Sequence, residues 1–143
     1  MGKVKELYNK LKKLDFEKMC AEAVIENEAH IIDLNTGQLF QGERSDGSML
    51  PDYSFVSVNF YNKPKGPIKL YDTGAFYSGF RLASKSGKAE FPMYVISTDE
   101  KSDELKSKYG SEIFGLTEEN EEGFARIYLL PTIGKKLRNY LGV

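Results

Sequence analysis

Asp72, Thr73 and Gly74 stand together directly before an apolar run, and their types suit one local task. A short carboxylate and a hydroxyl accept backbone N–H bonds, and glycine takes the turn that follows, so the tripeptide opens a short helix or tight turn. Cys20 and His30 are the single cysteine and histidine, which excludes an intrachain disulfide and leaves no zinc site without carboxylates or distant ligands. Both fall at core-facing or boundary helix positions, where a packed thiol and a hydrogen-bonded imidazole are the expected roles. Asp46-Gly47 is the pair that most readily adopts the positive φ of a tight turn; the repeating oxygen ligands and closing Glu of a calcium loop are missing around it. Glu118, Glu119, Glu121 and Glu122 form an acidic run that fits a helix start better than a metal cluster. No phosphate-cradling G-x-x-x-x-G-K and no G-x-S-x-G is present. The expectation is therefore no catalytic residue, no metal and no cofactor.

The elements that must position these residues follow from periodicity. Val4, Leu7, Tyr8, Leu11 and Leu14 recur at spacings of three and four, predicting an amphipathic helix over 3–14 whose other face carries Lys5, Lys10, Lys12 and Lys13. Asp15 caps a second helix through Phe16, Met19, Cys20, Ala23, Val24, Ile31 and Ile32, weakening around Asn35-Thr36-Gly37 or running on to Leu39. A polar loop over 41–51 reverses at Asp46-Gly47. Alternation of Val56, Val58 and Phe60 with Ser57 and Asn59 predicts a half-buried strand over 53–61, ended by the proline- and glycine-containing segment 62–67. After the Asp72 turn come about two helical turns, then strands over 80–84 and 89–97. Ser97-Thr98-Asp99-Glu100 has the form of a capping box for a helix over 98–109, stopped by Gly110. Thr117 caps a last helix over 118–141, in which Pro131 predicts a kink near 128–131.

The sum is an α+β chain, one domain over 1–143: a helical part over 1–39, with two N-terminal helices, then a mixed part over 40–143. In the latter a mainly antiparallel sheet of three or four strands and short helices precede a long kinked C-terminal helix. With 20 basic and 21 acidic side chains, net charge gives no global pull toward nucleic acid. The basic face of the first helix is either solvated or docks on a phosphate backbone or an acidic neighbour. No apolar run approaches the roughly 20 residues of a membrane helix, and the start is too charged for a signal peptide. Nine Tyr and nine Phe with no Trp suit a small core plus a contact surface, or a core alone.

Two families share features with this chain. Leu70-Tyr71-Asp72-Thr73-Gly74-Ala75 resembles the signature of retroviral-type aspartic proteases, which implies a homodimer whose paired Asp72 carboxylates act as acid and base. That family is nearly all strand, and Phe76 stands where it carries a second Asp. More of the chain is similar to tail-completion or neck-type proteins of tailed bacteriophages. The shared order is a short helix opened by Leu-x-Asp-Thr-Gly-Ala-Phe, strand, turn, strand, a Tyr109-Gly110 ending and a long C-terminal helix, with 107–116 at the handover. Departures are the 41–67 region and Pro131. This resemblance implies a virion protein at the head-tail junction, made in the host cytoplasm. It implies a ring of copies of itself that meets portal, neck or tail neighbours and lies near DNA at most weakly. It also implies a structural role for the tripeptide, Asp72 and Thr73 capping the helix and Gly74 allowing close backbone approach. Asp46, Gly47, Lys63, Pro64, Lys65 and Gly66 are the expected interface residues, because a small domain does not otherwise need such long polar loops. A small non-catalytic adaptor domain is the remaining alternative, distinguished by lacking self-association.

Overall fold

A computed structural model describes residues 2–143. The chain is a mostly helical α+β fold. Helices α1 (Gly2–Lys13), α2 (Phe16–Glu26) and α3 (Glu28–Phe40) come first, then α4 (Phe55–Phe60) and α5 (Ala75–Ser78). Strands β1 (Phe80–Ser84) and β2 (Met93–Ser97) follow, then α6 (Ser102–Tyr109), a 3-10 turn (Ser111–Ile113), α7 (Glu118–Phe124) and α8 (Leu130–Leu141). Asp15 opens α2 as its type suggests, its carboxylate accepting from Lys18 N at 3.0 Å. The second N-terminal helix is interrupted at Asn27, whose buried amide donates to Ala23 O at 2.9 Å and to Thr132 Oγ1 at 3.0 Å, tying the break to α8. Beyond the break, α3 holds through Asn35-Thr36-Gly37 to Phe40. Thr36 turns its hydroxyl back onto Ile32 O, and Asn35 is spent on another element.

Among the described residues the sheet has two strands, not three or four. They pair antiparallel with Phe80 opposite Ser97 and Leu82 opposite Val95. Residues 53–61 do not supply the expected third strand: Ser54 accepts from Ser57 N at 3.1 Å and caps α4. A strand needs a partner edge, and Pro51, Pro64 and Pro67 around this segment have no N–H to give a ladder. The outer edge of β1 is met instead by α3, where Glu28 accepts from Leu82 N at 2.8 Å. The capping box at Ser97 is also not formed. Ser97 is the last residue of β2, buried, and donates to Phe76 O at 2.8 Å while accepting from Asp99 N, so α6 starts later, at Ser102.

Ile31, Leu39, Phe76, Phe80, Val95, Ile113 and Phe124 form the core between α3, the hairpin and α7. Phe80 has no exposed surface, and its ring meets Phe76 edge-on at 5.0 Å and Phe114 at 5.4 Å. Two buried amides of α3 lock the turn that launches the C-terminal helix. Asn35 donates to Ile113 O at 3.1 Å and accepts from Gly115 N at 2.8 Å. Gln38 donates to Gly115 O at 3.0 Å and accepts from Thr117 N at 2.9 Å and Asn120 Nδ2 at 2.7 Å. Thr117 then caps α7 by accepting from Asn120 N.

The expected kink is present: the C-terminal helix bends by 34°. Pro131 cannot donate to the carbonyl one turn earlier, and the residues just before it, Ala125–Leu129, widen into a π turn. Lys136 of α8 reaches back to α2, 2.7 Å from Glu26 and 3.8 Å from Glu22. No helix among the described residues is long and apolar enough to cross a membrane.

Candidate functional site

The region around Asp72 is organised by the excursion of residues 51–67, clamped at its base. Ile68 N donates to Pro51 O at 2.8 Å and Tyr53 N to Gly66 O at 2.9 Å, while Asp52 and Pro67 form an antiparallel bridge. Tyr53 Oη accepts from Lys69 N at 3.1 Å. Pro67 returns against Gly42 at the end of α3; a Cβ there would overlap the proline ring, and Gly42 has φ +81° besides. Only glycine lets the returning limb seat this closely against the end of α3.

The clamp leaves α4 outside the core. Phe55, Phe60 and Tyr61 are 76%, 73% and 71% exposed, and Val56 is exposed beside them. Sequence reasoning missed this surface because the period-two reading turned Phe60 inward; the signal that identifies it is Ser54, three residues before Ser57, a helix cap. A second aromatic group lies nearer the turn. Tyr71 meets Phe40 edge-on at 6.1 Å and Tyr77 at 5.1 Å, and Lys69 Nζ sits 4.1 Å from the centre of the Phe40 ring. Tyr77 Oη donates to Lys69 O. Burial, reinforced by Tyr53 and Tyr71, pushes its phenol above the ordinary range, so it stays a donor.

Asp72 does not cap the helix. The residue at the cap position of α5 is Gly74, with φ +86°, and the hydroxyl that accepts from Ala75 N is that of Thr73, at 3.3 Å. Asp72 instead points to solvent, its side chain 75% exposed, and pairs with Lys63 Nζ at 3.2 Å. Such a surface pair contributes about 0–1 kcal/mol; its effect is to fasten the returning limb of the excursion to the turn. What a Cβ on Gly74 would meet is a side chain, not backbone: the Tyr71 hydroxyl, 3.0 Å away. Leu70, buried, takes φ +54°, a left-handed backbone that costs about 1–2 kcal/mol for an L residue and is held by its place in the core.

The expected interface residues divide into two places. Lys63 is brought to Asp72, with Pro64 and Lys65 exposed beside it and Gly66 in the clamp. Asp46 and Gly47 form a separate tight turn, bracketed by the Glu43–Met49 bridge, which shares a shallow groove with Thr117, Glu118, Glu119 and Glu122. Gly47 has the predicted positive φ, +83°. The Ser48 hydroxyl, and after it the Ser48 backbone N–H, holds the Asp46 carboxyl below the ordinary carboxylate range. A lowered folded-state value means the turn's contribution is present above the ordinary pKa of about 3.9 and lost as pH falls through the lower one. Carbon-13 titration of Asp46 is expected to show this depression, and Ser48→Ala to shift the midpoint upward toward the ordinary value.

Cys20 is half-buried, its thiol pushed up by burial and by Glu17. His30 lies flat on Tyr128, ring centres 3.8 Å apart, so stacking on the C-terminal helix holds it where a hydrogen bond was expected. Neither lies at the Asp72 turn. No family model, curated protein or solved structure matches this chain.

Proposed function

We propose that the chain is a structural, non-enzymatic virion protein of a tailed phage, a neck or tail-completion component that forms a ring with its own copies at the head-tail junction. The observation that carries this reading is the exposed aromatic surface of α4. Two phenylalanines on one short helix and a tyrosine at its end, left in water, are costly unless another surface covers them. The excursion that presents them is clamped rigidly at its base, as a docking element requires. The order of elements from the Asp72 turn through the hairpin to the kinked C-terminal helix supports the same family resemblance. In this reading α4 and the Lys63, Pro64, Lys65, Gly66 limb meet a portal, neck or tail neighbour, Asp46 and Gly47 lie at a subunit or layer boundary, and DNA is at most nearby.

The protease reading has less support. Asp72 is ion-paired at the surface, and a mostly helical chain with a two-stranded sheet departs from the nearly all-strand architecture that reading implies. An adaptor binding one partner would use the same aromatic surface without assembling on itself. Electron microscopy of the purified chain separates these readings: closed rings of uniform copy number are expected, and a field of single particles of monomer size contradicts the proposal.

A further inference from the structure

The two strands of the sheet differ in how their outer edges are finished. Thr98 N donates to Gly79 O at 2.9 Å, one residue beyond the Phe80–Ser97 pair. Bonded and non-bonded pairs alternate along an antiparallel ladder, so Arg81–Ile96 and Ala83–Tyr94 are the bonded pairs. Leu82 N, turned outward on β1, has Glu28 of α3 as its acceptor. On β2 the outward groups are the N–H and C=O of Met93, Val95 and Ser97, and none of these has a backbone partner among the described residues. Val95 and Ser97 are only 7% and 8% exposed, and unpaired backbone groups with so little access to water are costly. Sheet edges are commonly blunted by charge, proline or a bulge. Residues 93–97 carry no charge and no proline, and their register is unbroken.

A groove of about 570 Å³ runs along this edge. All five residues of β2 line it and none of β1 does, so it follows the edge of the sheet and not a face. Its other side is made by α6, through Ser102, Asp103 and Lys106, and by Phe114 and Gly115. Phe114 offers an apolar contact that packs against the core. Asp103 and Lys106, which take part in no ion pair among the described residues, offer a polar rim of both signs. Five strand residues run about 17 Å, so a groove of this volume takes one extended chain.

We propose that this groove is a strand-addition site, in which an extended segment of a partner protein, apolar at alternate positions, pairs with β2 as a third strand between it and α6. The unpaired N–H and C=O groups define that occupant: only another backbone in extended form presents acceptors and donors at their spacing. A second copy does not fit the place. Its β2 would bring its β1 along as the next strand, where α6 stands. The site is separate from the aromatic surface of α4 and does not rest on the proposed ring.

The test uses the full chain and a yeast-displayed library of random ten-residue peptides. Selection is expected to enrich peptides with apolar residues at every second position. In the best binder, made synthetically, N-methylation of one alternating set of backbone nitrogens is expected to weaken binding at least about 10-fold, and of the other set to change it less than about twofold. The bound peptide is expected to slow hydrogen exchange at Met93, Val95 and Ser97 N–H. Ser111→Trp, at an exposed position on the groove wall, is expected to weaken binding by at least about 10-fold with the thermal melt unchanged. No enriched peptide, equal loss from both methylated sets, or exchange protection centred on α4 each overturns the proposal. Protection of Val95 that rises with protein concentration and needs no peptide assigns the edge to a second copy, and overturns it too. Rings are scored by microscopy without peptide, so either reading can fail while the other stands.

Discussion

Phe80→Ala is expected to remove about 3–5 kcal/mol of stability. That is about a fifth or more of the 5–15 kcal/mol that holds a typical domain together. Phe80 is where three parts of the fold meet. It begins β1, opposite Ser97, and its ring lies between Phe76 of α5 and Phe114 ahead of the C-terminal helix. Truncation leaves a void that close-packed neighbours fill only in part, so the loss of apolar burial and a cavity term add. Urea unfolding measures this as a lower midpoint at unchanged slope. A shift under about 1 kcal/mol would show that the ring is not the centre of the core.

Asn35→Leu is expected to cost about 2–6 kcal/mol, because it leaves Gly115 N and Ile113 O buried without partners, each orphan costing about 1–3 kcal/mol. The side chain is fully buried and serves both groups. Leucine keeps the branched skeleton but its methyl groups are bulkier, so part of the loss is overpacking. Asn35→Asp provides the control. As a carboxylate it accepts from Gly115 N but cannot donate to Ile113 O and is charged in the core, so it too is destabilising at neutral pH. Burial raises its folded-state pKa, and stability should recover as pH falls through that value, since a protonated carboxyl both donates and accepts. Thermal melts of both variants across pH test this; parallel pH profiles would show that the amide acts only by filling space.

What could be read from the amino acids was whatever local chemistry decides. Asp15 and Thr117 cap helices because their side chains reach the next turn's N–H, Asp46-Gly47 turns because glycine takes positive φ, and Pro131 bends its helix because a donor is missing. The misreadings share a cause: each needed a distant partner. Residues 53–61 alternate like a strand, but no edge faces them, and the Ser54 cap prevails. Ser97 has the spacing of a capping box, but Phe76 O, reached only in the folded chain, takes its hydroxyl. Asp72 has the type of a helix cap, but it fastens a lysine from the excursion instead. Asn35 and Gln38 are ordinary polar residues in the sequence of α3, and their importance appears only when residues 113–120 close over them.

The most direct test of the central claim, a self-assembling structural protein in which Asp72 performs no chemistry, is the solution mass of purified wild type and Asp72→Asn, measured side by side with a peptide-cleavage assay. The account predicts the same cyclic oligomer for both and no cleavage by either. A dimer that cleaves peptides, and stops when Asp72 is changed, would contradict it.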